Sequence, residues 1–202
     1  MIRIFIEAKK KETSEYNFLD TYIHKHLGID RSLYSIECVD GKDNLPNAQN
    51  KFLENTIEGG VNLLVFDADT LGTGGGFETR KNELQLQLDE LGIEAEMFLF
   101  PNNQDDGIFE NLLEKLALTE QYKTFFDCFS DYEICLGDDY RHPDLKAKVY
   151  TYISSMKSLS NNKWKRLGTG NWQFSDANYW NLENEYLEPL KTFLLKYLTS
   201  IY

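Results

Sequence analysis

Short apolar runs alternate with amphipathic stretches over the first two-thirds of the chain. Four of the runs are rich in β-branched or aromatic residues, as is typical of strands: residues 2–6, 34–39, 61–66 and 94–100. Between and after them, apolar residues recur at three- and four-residue spacing, which predicts helices over 14–27, 46–57, 78–91 and from Gly107 to residue 116. Strands separated by helices need crossover connections, and these favour a parallel sheet. We therefore expect an α/β fold, a Rossmann-like, mainly parallel sheet flanked by helices.

The pattern becomes mostly helical after residue 118, with helices predicted over 146–156 and 186–197. No repeat, low-complexity tract or Pro/Ser-rich linker separates this part from the rest. We expect an α/β core over residues 1–118 and a helical extension over residues 119–202 that packs on the core, so that the chain forms a single compact unit.

The charge is distributed unevenly along the chain. The net charge is −12, which argues against nonspecific coating of nucleic acid. Residues 32–140 hold 23 acidic and 6 basic side chains, whereas residues 141–202 hold 9 basic and 5 acidic ones. A polyanion, if one binds, is expected to contact the basic tail. The alternative is that solvated faces merely differ in sign.

The sequence predicts a cytoplasmic protein without a membrane partner. The apolar stretch Ile2 to Ile6 is too short for the core of a signal peptide, and nowhere do 18 apolar residues run together. The three cysteines form no CxxC motif, so free thiols in a reducing compartment are expected.

Carboxylates follow two of the predicted strands where each strand ends. Glu7 comes directly after the first strand, and Asp67 and Asp69 follow the most apolar one. Ligand sites of open α/β sheets lie at this edge, and i, i+2 spacing in extended chain directs both aspartates the same way. A close pair of carboxylates repels by about 4 kcal/mol at an effective dielectric constant near 20. Either their pKa values rise or a cation lies among them, and oxygen ligands favour Mg²⁺.

These residues resemble a known family. Ile4-Phe5-Ile6-Glu7, then Leu63-Leu64-Val65-Phe66-Asp67-Ala68-Asp69, then Gly107-Ile108-Phe109-Glu110 are similar to the motifs of the Toprim domain. The resemblance is to the branch found in OLD-type nucleases and in small Toprim-like proteins, and it spans roughly residues 1–118.

The resemblance implies a set of roles for individual residues. Glu7 would be a metal ligand or a general acid/base, and Asp67 and Asp69 would bind Mg²⁺ or Mn²⁺. Glu110 would help to hold a metal, and either Lys146 or Lys148 would match the catalytic lysine of the OLD-type branch. Together these roles imply metal-dependent phosphodiester chemistry, of nuclease type, on nucleic acid.

The chain departs from the family pattern after its first glutamate. Ala8 stands where nuclease-type members have glycine, and Lys9-Lys10-Lys11 pushes Glu12 and Glu15 out of register with the acid that follows there. We therefore expect one metal ion rather than two. The departure also keeps open a second function, a Toprim-like module that binds a metal, a nucleotide or a protein partner without turnover.

Two further segments carry candidate chemistry. Lys163-Trp164-Lys165-Arg166 interleaves basic and aromatic residues, which suits contact with nucleic acid, although the tryptophans of the tail could simply pack on the core. The loop from Leu71 to Gly76 could cradle a phosphate, but a connector is the simpler interpretation. Asp-Ala-Asp also occurs in glycosyltransferases and haloacid dehalogenases, whose other sequence features do not fit here. The oligomeric state is left open.

Overall fold

A computed structural model describes residues 1–199 of the chain. It contains four strands, β1 (Ile2–Ile6), β2 (Tyr34–Cys38), β3 (Val61–Asp67) and β4 (Glu96–Phe100). Its α-helices are α1 (Ser14–Thr21), α2 (Leu45–Ile57), α3 (Phe77–Glu90), α4 (Phe109–Leu116), α5 (Lys123–Leu136), α6 (Leu145–Ser154), α7 (Asn161–Lys165) and α8 (Glu188–Leu198).

The four strands form one parallel sheet in the order β2-β1-β3-β4. In the register of this sheet, Ile6 lies opposite Val65 and Asp67 lies opposite Phe100. The two central strands therefore end beside each other at the same edge. The predicted α/β class, with a parallel sheet flanked by helices, is confirmed.

Apolar side chains fill both faces of the sheet. On one face, Phe5 and Leu64 pack with Phe52 of α2 and Leu84 of α3. On the other face, alternate strand residues pack with α1, α4 and the tail helices α6 and α8. Successive side chains of a strand point to opposite faces, so strands that are buried on both sides must be apolar throughout.

The start of α1 is fixed by local chemistry. The Thr13 hydroxyl accepts a hydrogen bond from the Tyr16 N–H at 3.3 Å and so caps the helix. Gly170 of the tail lies so close to the backbone of Thr13 and Ser14 that a Cβ there would clash. This contact holds the first turn of α1 against the tail. After Thr21 the helix continues as one π-helical turn, Tyr22–His26, which the apolar spacing does not reveal.

The tail shares the core of the sheet. The side chains of Trp172 and Trp180 are only 3% and 2% exposed, and the Tyr152 hydroxyl donates to the carbonyl of Tyr179 at 2.8 Å. The backbone of Asn181 also donates to Leu116 at the end of α4. The described part of the predicted extension therefore packs on the core, while residues 200–202 of that extension lie outside the described residues.

Within residues 1–199, no helix is both long enough and apolar enough to cross a membrane.

Candidate carboxylate site at the edge of the sheet

Glu7 and Asp67 lie side by side where β1 and β3 end. Because the two strands are neighbours in register, the Asp67 N–H donates to Glu7 Oε2 at 3.4 Å. The Asp67 carboxylate in turn accepts a hydrogen bond from the Phe109 N–H, at the start of α4, at 2.8 Å. The sheet and the first turn of α4 thus fix both carboxylates at the edge predicted from the sequence.

Glu110 follows in the first turn of α4, and only 6% of it is exposed. Lys146 of α6 places its Nζ 3.8 Å from Glu110 Oε1, and the lysine side chain is 63% exposed. Lys148 instead pairs with Glu114, one helical turn further along α4, at 2.7 Å. Of the two candidate lysines, Lys146 is therefore the one that reaches a carboxylate of the site.

Glu15 is a fourth acid near Glu7, Asp67 and Glu110. Glu15 stands well after the end of β1 in the sequence, but the loop between Ile6 and α1 brings its carboxylate near Glu7 and Asp67. The Glu15 carboxylate is close enough to Asp67, Glu7 and Glu110 for each of them to raise its pKa. Its Oε1 atom is buried without a hydrogen-bond partner. In the sequence, a Thr13 cap followed by Glu15 in the first turn is the feature from which this position of Glu15 could have been predicted.

Burial and mutual repulsion act together on these four acids. Burial, reinforced by the neighbouring carboxylates, raises the pKa of Glu15 and of Asp67 well above their usual values. Burial also raises the pKa of Glu7, and the Asp67 N–H only partly offsets this. The pKa of Glu110 is raised by burial in spite of Lys146. We call Glu7, Glu15, Asp67 and Glu110 the acidic cluster; it favours a proton or a cation over four free negative charges.

The carboxylate of Asp69 pairs with Arg80 and is not part of the acidic cluster. The extended chain ends at Asp67, and Asp69 adopts a left-handed backbone conformation with φ of 59°. The alternation that would direct Asp67 and Asp69 the same way therefore does not reach Asp69. Its carboxylate pairs with the guanidinium of Arg80, although its charge still helps to raise the pKa of Glu7.

Arg80 belongs to a small ionic network beside the acidic cluster. Its side chain is 5% exposed, and its second nitrogen pairs with Glu83 at 2.6 Å. Lys42 pairs with the other oxygen of Glu83 at 2.8 Å. A Cβ on Gly75 would meet Asp69 and lie 3.4 Å from Arg80, so the glycine loop wraps tightly over this ion pair. We find that the loop packs over Asp69 at Gly75, while Leu71 stays exposed.

The acidic cluster is not arranged for a metal as it stands. Within residues 1–199, no group of three or more His, Cys, Asp or Glu side chains has a geometry ready to hold a metal ion. The donor set nevertheless suits a hard cation, because all four members supply carboxylate oxygens and one buried oxygen of Glu15 lacks a partner. Asp69 does not fit the same role while Arg80 holds it.

The predicted nucleic-acid segment lies on the tail. Lys163, Trp164 and Lys165 belong to α7, and Arg166 is its C-cap. Trp164 is 52% exposed, in contrast to the two buried tryptophans. The interpretation that the tail tryptophans pack on the core is therefore correct for Trp172 and Trp180 and wrong for Trp164.

No protein-family model, curated protein or solved structure matches this chain.

Proposed function

We propose that the acidic cluster binds one divalent cation, Mg²⁺ or Mn²⁺, and supports phosphodiester hydrolysis on nucleic acid. One observation carries this proposal: four carboxylates with raised pKa values share the end of the sheet, and a buried oxygen of Glu15 has no partner. A cation would offset their repulsion and give that oxygen a ligand bond.

Within residues 1–199, the side chains of the acidic cluster are not already arranged to hold a metal ion. Carboxylates that repel one another move apart as far as their side chains allow. Binding therefore requires side-chain rotations of Glu7, Glu15 and Glu110, while the backbone can stay where the sheet and the helices hold it. Asp67 needs the least movement because Phe109 already fixes one of its oxygens.

The chain offers further groups for the reaction. A bound cation would polarise a phosphoryl oxygen and lower the pKa of a bound water. Glu7, whose carboxylate lies beside Asp67, would accept a proton from the attacking water. Lys146 lies at the exposed rim of the cluster and would offset negative charge on the phosphate.

A single ion agrees better than two with the role of Asp69. Two-ion sites hold their metals with carboxylates on both sides, whereas here Arg80 already neutralises Asp69. We assign Asp69 a positioning role: its ion pair anchors the turn that follows Asp67.

The second candidate function is cation binding without turnover. The ion pair between Asp69 and Arg80 favours it, because it leaves one aspartate of the motif unavailable for a catalytic metal. In this version the acidic cluster would bind a cation, a nucleotide or a protein partner but cleave nothing.

A cleavage assay separates these functions. Single- and double-stranded DNA and RNA are incubated with the wild type in Mg²⁺, in Mn²⁺ and in EDTA. The nuclease proposal predicts cleavage in the metal buffers alone, abolished by Asp67→Asn and retained by Asp89→Asn, which removes an exposed acid on α3. Wild-type-like cleavage by Asp67→Asn contradicts the proposal, and cation stabilisation without any cleavage selects the second function.

A further inference from the structure

A polar cleft lies beside α1, between this helix and the tail. Its volume is about 390 Å³. Lys25, Lys163 and Arg166 supply positive charge, whereas the amide N–H groups of Asn17 and Gln173 already donate to protein oxygens. None of the described side chains that line the cleft is acidic, although the chain as a whole carries a net charge of −12. The cleft is therefore a local basic site on an acidic protein.

The basic side chains of the cleft are only partly satisfied by protein groups. Lys163 pairs with Asp176 at 3.2 Å, and Lys25 contacts the hydroxyl of Ser175 at 3.4 Å. Among the described residues, Arg166 has no carboxylate within ion-pair distance. Guanidinium and ammonium groups around one cleft are donors that bind phosphate oxygens.

Helix α1 and its π-helical continuation form one wall of this cleft, with Asn17 and Lys25 among the lining residues. Asn17 lies on the side of α1 away from Glu15, because two residues turn an α-helix by about 200°. The Asn17 side chain also donates to the Thr169 carbonyl at 3.2 Å, so the helix and the tail hold the cleft together.

An exposed aromatic ring follows the cleft-lining Lys163 on α7, although the ring itself does not line the cleft. Trp164 lies between Lys163 and Lys165 on α7 and is 52% exposed, although its Nε1 donates to the Ser154 carbonyl at 3.2 Å. An exposed ring beside phosphate-binding cations is what proteins use to stack unpaired bases. A paired base offers no such face within a duplex, so the ring favours a single strand.

We propose that this cleft binds the phosphates of a single-stranded nucleic acid, with Trp164 stacking a base. The proposal rests on the proposed function, because it names the substrate of that same site. It assigns Lys25, Arg166 and Trp164 to substrate binding rather than to chemistry.

Binding is measured in EDTA, where no metal-dependent cleavage can occur. The probe is a fluorescein-labelled oligothymidylate, followed by anisotropy over a range of salt concentrations. The double variant Lys25→Gln/Arg166→Gln is compared with Lys123→Gln/Lys191→Gln, which changes the net charge equally at α5 and α8. All four lysine and arginine side chains are on the surface, and melting curves verify that both variants fold.

The cleft variant should weaken binding about tenfold or more and should reduce the slope of log K against log salt by about 1.4, or 0.7 for each lost contact. The control variant should bind like the wild type. Trp164→Ala should weaken binding without changing the slope. Equal losses in both double variants, or no binding by the wild type, would overturn the proposal. Tighter binding of a duplex of the same sequence would overturn its single-stranded part.

These outcomes are separable from those of the proposed function. If the oligonucleotide binds at the cleft but no metal buffer gives cleavage, the cleft stands and the catalytic proposal fails. If cleavage occurs but the cleft variant binds like the wild type, the catalytic proposal stands and the cleft fails.

Discussion

The carboxylate of Asp69 is paired with the guanidinium of Arg80, so the two aspartates of the Asp-Ala-Asp motif have separate partners. The Asp67 carboxylate accepts a hydrogen bond from the Phe109 N–H at the start of α4 and belongs to the acidic cluster. The Asp69 carboxylate instead pairs with Arg80 of α3. A motif that looks like two equivalent metal ligands therefore divides into one member of the cluster and one anchor of the following loop.

Removing Arg80 should destabilise the protein strongly. Arg80→Met would leave Asp69 without its cation, while Glu83 keeps Lys42, and losing hydrogen bonds to partly buried carboxylates costs about 1–3 kcal/mol. Chemical denaturation measures the loss in the free energy of unfolding. The control is Arg31→Met at the exposed pair with Asp20, which should cost less than about 1 kcal/mol. Equal costs for the two variants would show that the Arg80 network is not a buried anchor.

Glu15→Gln should stabilise the metal-free protein at neutral pH. The substitution removes one negative charge from the acidic cluster, where burial and repulsion raise the pKa of Glu15. We expect a higher free energy of unfolding than that of the wild type in EDTA, because glutamine carries no charge for the neighbouring carboxylates to repel. Glu12→Gln removes an exposed acid three residues earlier and should change little. A loss of stability in Glu15→Gln would mean that the Glu15 charge is not opposed by its neighbours.

The tail should unfold together with the sheet. Trp180 is 2% exposed, and its Nε1 donates to the Trp172 carbonyl at 2.8 Å, so Trp180→Ala should cost about 3–5 kcal/mol. Trp164→Ala should stay within about 0.5 kcal/mol because its ring is on the surface. Thermal melting followed by circular dichroism and by tryptophan fluorescence should give one shared transition. Two separate transitions would show that the tail is an independent unit.

The pair between Asp20 and Arg31 should make stability fall with acid. Hydrogen bonds from Arg31, with a further one from Tyr34, lower the pKa of Asp20 below its usual 3.8. A lowered folded-state pKa contributes stability that is present above the unfolded-state pKa and is lost as the pH falls through the folded-state value. The difference in unfolding free energy between wild type and Asp20→Asn should therefore be constant near neutral pH and shrink below about pH 4. A difference that grows on acidification would contradict the ion pair.

Much of the fold is predictable because it depends on local patterns. The strands and helices of the first two-thirds begin and end within about two residues of the positions predicted from apolar spacing and turn residues, except that α1 ends at Thr21 and a π-helical turn covers the rest of the predicted helix. The helix α5 is not predicted, since its aromatic residues follow no clean stripe and only Phe129 is buried. The short helix α7 is also missed, because five residues carry too little periodicity.

The site is predictable only where the sheet dictates it. Parallel strands that end at one edge bring Glu7 to Asp67, and this follows from strand order alone. The position of Glu15 depends on how a loop returns, and the partner of Asp69 depends on a left-handed residue and on an arginine in the next helix. Neither the position of Glu15 nor the partner of Asp69 can be read from the spacing of residues along the sequence.

Calorimetric titration of the metal-free protein with Mn²⁺ tests the central claim most directly. We predict that the wild type binds one ion per chain and that Asp67→Asn and Glu15→Gln each weaken binding at least tenfold, whereas Glu12→Gln binds like the wild type. A folded wild-type protein that takes up no ion, or variants of the acidic cluster that bind as well as the wild type, would contradict the account.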